Sequence, residues 1–109
     1  VGVVPDTITI QHIPACPNTG VAYERVAEAL RRLGSPSVAV TMQEIPAHAD
    51  AEREGFRGSP TVLIDGTDPF AEPATPAAFA CRVYATAAGT DVAPTVRQLL
   101  DAIAAPHGN

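Results

Sequence analysis

Apolar residues recur at two spacings along this chain, and the places where the spacing changes divide it into seven elements. Residues 7–13, TITIQHI, alternate with a period of two: Ile8, Ile10 and His12 fall on one face, and Thr7, Thr9, Gln11 and Ile13 on the other, which reads as a strand. From about residue 17 to 33 the period lengthens. Ala22, Val26, Ala29, Leu30 and Leu33 form a helical stripe, while Glu24, Arg25, Glu28, Arg31 and Arg32 fall largely outside it. Arg31 and Arg32 suit the negative end of that helix dipole, and Gly34 suits a left-handed cap. After the Gly34-Ser35-Pro36 break, residues 38–41, extending as far as 43, read as a second strand. Pro46 then opens a short helix over Ala47, Ala49, Ala51 and Glu52 that stops at Gly55. Residues 61–64, TVLI, are a third strand, short and apolar enough to be central, closed by an Asp65-Gly66 turn. Residues 80–86 read as a fourth strand, antiparallel to the third, with residues 67–79 as an inserted loop between them. Val96, Leu99, Leu100 and Ile103 mark a last helix from about residue 94 to 104. Residues 1–6 and 106–109 read as loose ends.

The pattern predicts one α/β domain, βαβαββα, with a four-stranded mixed sheet and helices on both faces. A length of 109 residues suits one core but not two. Seven basic against twelve acidic residues leave a net charge of −5, which argues against nucleic acid or an anionic membrane as the main partner. No apolar run is long enough to span a bilayer and no signal-peptide pattern is present, so the expected location is cytoplasmic. Two cysteines, Cys16 and Cys81, make neither a disulfide framework nor a zinc pattern.

Cys16 follows the first strand and immediately precedes Pro17, which the spacing places at the first helical position. A thiol there meets unpaired backbone N–H groups and the positive end of the dipole, and both favour the thiolate, the form that attacks disulfides and binds soft metals. Thr19, one turn on, is placed to donate a hydrogen bond to that thiolate or to satisfy its own backbone. His12 is read chiefly as a packed or surface residue, and His48 and His107 as solvated. Pro60 has no N–H to give to a ladder, so it opens the third strand, and the Ser59-Pro60-Thr61 corner suits a cis bond that leaves the preceding backbone edge open to an extended peptide. Cys81 reads as a small core residue, or as a resolving thiol, or as half of a two-thiolate site for mercury or copper(I). A fourth strand antiparallel to the third keeps Cys81 farther from Cys16 than the roughly 7 Å between Cα atoms that a disulfide allows. Asp65, Asp68 and Asp91 have turn or cap explanations.

A strand, a Cys-Pro at a helix start, a second strand and helix, and then Gly55-Phe56-Arg57-Gly58-Ser59-Pro60-Thr61 before an apolar strand resemble the thioredoxin-like superfamily, with Pro60 in the place of its cis-proline. The chain departs from that family where Cys16-Pro17-Asn18-Thr19 carries a threonine in place of a second cysteine. It resembles most a group of small bacterial thioredoxin-like proteins with a Cys-Pro-Asn start, the Gly58-Ser59-Pro60-Thr61 corner, an Asp68-Pro69-Phe70 segment and Cys81-Arg82-Val83-Tyr84. Some of that group are labelled alkylmercury-lyase-like, and Phe79-Ala80-Cys81-Arg82-Val83 is similar to the cysteine-bearing strand of organomercurial lyases. The resemblance implies a thiol-dependent redox or thiol-binding protein, a thiol–disulfide oxidoreductase of monothiol type. Cys16, Thr19 and Pro60 would carry the chemistry, and Ser59, Thr61 and Pro17 would line the substrate site. The substrate would be a small thiol or a protein disulfide. No resident cofactor is implied, and glutathione or another thiol would be the reductant. Two alternatives stand beside it: a soft-metal protein using Cys16 and Cys81, and a non-catalytic module binding a partner through the Pro60 edge or residues 67–76.

Overall fold

The computed structural model describes residues 5–71 and 76–104. Strand β1 (Thr7–His12) is central: it pairs parallel with β2 (Ala39–Glu44) and antiparallel with β3 (Thr61–Ile64), giving the order β2-β1-β3. A parallel pair needs a crossover, and helix α1 (Thr19–Arg32) supplies it. The alternation in β1 sends Ile8 and Ile10 to one face. There they meet Val62 and Ile64 of β3, Ala22, Val26, Ala29 and Leu30 of α1, and Leu99 and Ile103 of helix α3 (Val96–Ala104), none more than 3 % exposed. Each is close-packed, so Ile10→Ala is expected to cost about 2–5 kcal/mol, measured as a shift in the urea midpoint.

Ile13, the residue after β1, packs with Phe79 against a second, smaller core of Ile45, Phe56 and Ala51 of helix α2 (His48–Glu54). Gly55 ends α2 in the left-handed conformation, φ 67°. Helix α3 begins with a device the sequence reading overlooked. Thr95 Oγ1 accepts the Gln98 N–H and Gln98 Oε1 accepts the Thr95 N–H, a reciprocal capping box written plainly as Thr95-Val96-Arg97-Gln98.

The four-stranded sheet and the antiparallel fourth strand are corrected by the structure. Residues 78–82 run parallel to residues 56–59: Ala78 N–H donates to Phe56 O (2.8 Å), Ser59 N–H to Ala80 O (2.8 Å) and Arg82 N–H to Ser59 O (2.9 Å). Cys81 is therefore in register with Ser59 in a single parallel bridge, not part of a hairpin with β3. The chain becomes a strand only at β4 (Tyr84–Thr86), which turns back at Gly89, φ 125°, into β5 (Gly89–Asp91) as a separate two-stranded sheet. Gln98 of α3 donates to Ala85 O, and Arg25 of α1 pairs with Asp91 at 3.2 Å, which fixes that hairpin against the helices. The order is thus βαβαβββα, a single α/β domain whose mixed sheets are split three and two, broadly consistent with a thioredoxin-like domain.

Parts of the expected loop and loose ends, residues 72–75, 1–4 and 105–109, lie outside the described residues. The lead-in is tied where it is described, since Asp65 Oδ1 accepts the N–H groups of Asp6 and Thr7. No described helix is long and apolar enough to cross a membrane.

Candidate active site around Cys16

The chain leaves β1 through Pro14 and turns at Ala15, which takes a positive φ of 57°. That turn is closed by Cys16 N–H to Ile13 O (3.3 Å) and Thr19 N–H to Cys16 O (3.4 Å). Helix α1 starts two residues later than the spacing predicts. Asn18 is its N-cap, so Pro17 precedes the cap and does not occupy the first helical position, and Cys16 stands two residues before the cap. The Asn18 side chain makes no capping bond and the first turn has no acidic residue, so no carboxylate there competes for the positive end of the helix.

Burial pushes the Cys16 thiol up, but it is outweighed by the hydroxyls of Ser59 and Thr19 and the backbone N–H groups of Asn18 and Thr19, which together bring the thiol below its ordinary value. Ser59 is the first of these opposing groups. It is fully buried, and its Oγ already accepts the Ile13 N–H at 3.1 Å, which leaves its own proton for the sulfur. Thr19 Oγ1 is buried with no partner in good hydrogen-bond geometry, yet it lowers the Cys16 thiol. The geometry gives that hydroxyl no hydrogen bond, so its effect on the sulfur is that of a nearby hydroxyl. The His12 ring lies 3.2 Å from Ile13 O through Nδ1 and is not among the groups acting on Cys16. We expect Thr19→Val to raise the inflection in Cys16 alkylation with pH, by less than the loss of the Ser59 hydroxyl does. An unchanged inflection would assign Thr19 to helix packing alone.

The Ser59–Pro60 peptide bond is cis. Behind it lies a buried polar cluster. The Tyr84 hydroxyl donates to Pro60 O, and burial pushes the Tyr84 phenol well up, so it remains a donor. Thr61 Oγ1 donates to Gly58 O (2.5 Å) and accepts from Arg82 Nη1 (3.2 Å), so this hydroxyl is engaged inside the protein. Arg82 also pairs with Asp68 at 2.7 Å, donates to Phe70 O at 2.9 Å and stacks its guanidinium 4.5 Å from the centre of the Tyr84 ring. The Arg82 and Asp68 side chains are only 9 % and 5 % exposed. Asp68 does cap a turn, accepting the Phe70 N–H, but its second oxygen holds Arg82. Fourteen residues apart across a loop, the pair leaves no local signal in the sequence.

Arg82 passes so close to Gly58 that a Cβ there would fall 2.8 Å from Arg82 Cβ, at a backbone φ of +119°. Gly58→Ala is therefore expected to cost at least about 1–3 kcal/mol from backbone strain alone, read from denaturant unfolding.

Cys81 is exposed and Cys16 partly so, and both thiols are free. A groove of about 520 Å³ runs past Arg57, Phe70, Cys81 and Gln98 without reaching Cys16 or Ser59. Among the described residues no three His, Cys, Asp or Glu side chains are grouped to hold a metal ion. Among protein-family models, curated proteins and solved structures, none matches the chain.

Proposed function

We propose that the protein exchanges thiols with small disulfides, using Cys16 as the nucleophile. The observation that carries this reading is a partly exposed thiol, two residues ahead of the N-cap of α1, whose surroundings bring it below its ordinary value. Burial alone would push a structural cysteine up; a thiol brought down instead is the reactive kind. The Cys16 thiolate attacks one sulfur of the substrate disulfide, the S–S bond breaks, and the other half leaves as a thiolate. Cys16 is then held as a mixed disulfide, which a second thiol such as glutathione can release.

The backbone at Ser59 bears on what the substrate is. Its N–H and C=O are taken by Ala80 and Arg82, so the edge that an extended peptide would use is already paired within the chain. A small disulfide fits this arrangement better than a protein segment. The test is incubation of the reduced protein with glutathione disulfide, followed by intact-mass measurement without reductant. A single glutathione adduct mapped to Cys16 in a Cys81→Ser background is the expected product. Failure to form it, while the denatured chain reacts, would leave the fold as a binding module.

A further inference from the structure

The segment that closes the Ser59 edge carries the second thiol of the chain. Residues 78–82 form a strap bonded to Phe56 and Ser59, and the residue in register with Ser59 is Cys81. Residues paired across a bridge share a face of the ladder. Two observations fix which face this is. Phe79, two residues before Cys81, packs against the same small core of Ile45, Ala51 and Phe56 that Ile13 joins. Arg82 lies on the opposite side, against Gly58. Ser59 Oγ in turn takes the Ile13 N–H, while Ile13 O takes the Cys16 N–H. Ser59 thus joins both segments: its side chain bonds the backbone of Ile13, which closes the Cys16 turn, and its backbone pairs with Cys81.

We infer that Cys81 is the resolving thiol for Cys16, delivered by the strap in place of the second cysteine that Thr19 has replaced in sequence. This rests on the Cys16 reading above and extends it. Cys16 thiolate attacks a disulfide RSSR, forming Cys16–S–SR and releasing RS⁻. Cys81, deprotonated to solvent, attacks the Cys16 sulfur of that adduct, forming a Cys16–Cys81 disulfide and releasing a second RS⁻. The substrate gains two electrons and the two cysteines lose them; an external dithiol or two monothiols restore the starting state. Exposure of Cys81 gives it access to solvent base.

The probe is one molar equivalent of 5,5′-dithiobis(2-nitrobenzoate) added to the reduced full chain at low protein concentration, with released thiolate read by absorbance and the product by non-reducing intact mass. The parent protein is expected to release both halves of the reagent and carry no adduct. Proteolytic mapping should then find Cys16 joined to Cys81. Cys81→Ser is expected to release one half and keep the other on Cys16. A parent protein that releases one half and retains a stable adduct on Cys16, or that forms only disulfide-linked dimers, would overturn the resolving role while leaving Cys16 as the nucleophile. If Cys16 fails to react in Cys81→Ser, the exchange function itself falls, and the resolving role with it.

Discussion

Plotted against pH, the rate of Cys16 alkylation is expected to rise through an inflection below the value of about 8.5 for a free thiol and then level off. The sign follows from the groups on the sulfur. Only the thiolate reacts, and the hydrogen bonds favour the charged form by more than burial disfavours it, so the reactive fraction falls away only once the pH drops through the depressed value. Ser59→Ala deletes the leading stabilising group and leaves burial in place, so its inflection should move upward and the rate near neutral pH should fall. Cys16→Ser should remove the inflection altogether, leaving the slower reaction of Cys81. A parent inflection at or above the free-thiol value would sink the catalytic reading.

Breaking the ion pair between Asp68 and Arg82 should have the largest effect on stability. Asp68→Ala leaves the Arg82 guanidinium 9 % exposed and without its counter-charge, and removal of one partner from a buried pair costs about 3–5 kcal/mol. Replacing both, with Asp68→Leu and Arg82→Met, should recover much of that loss, although Thr61 Oγ1 and Phe70 O lose a donor. Denaturant unfolding of the single and double variants measures both figures. A loss under about 1 kcal/mol for Asp68→Ala would mean that the pair behaves as a surface bridge. Because Arg82 also holds Thr61 and passes over Gly58, Asp68→Ala should loosen the corner at Ser59 and blunt the low inflection of Cys16 as well.

The elements whose cause is local were legible in the chain. The alternation of Ile8 and Ile10 and the stripe of Ala22, Val26, Ala29 and Leu30 specify β1 and α1, because a period of two or of 3.6 dictates which side chains share a face. TVLI gave β3 to the residue, and Gly55 the end of α2. The helix that follows Cys16 was legible but its start was not, since Cys16-Pro17-Asn18 offers two residues able to open a helix and the cap falls at Asn18. The capping box of α3 was there to be read and was passed over in favour of Pro94.

The partners of those residues were decided by tertiary structure alone. Alternation shows that Cys81 lies in an extended segment, but not which edge that segment meets, nor in which direction; hydrogen bonds to Phe56 and Ser59 made it a parallel strap and forced β4 to pair with β5. Ser59 read as a substrate contact because it adjoins Pro60; in the folded chain its side chain is sealed inside and its oxygen accepts the Ile13 N–H. Asp68 had an adequate local explanation as a turn residue, and its pairing with Arg82 exists only because the strap crosses Gly58 and lowers the guanidinium beside the carboxylate. Periodicity encodes which face a side chain takes. The charges and thiols it will meet there depend on which segments close over that face, and that is a property of the whole chain.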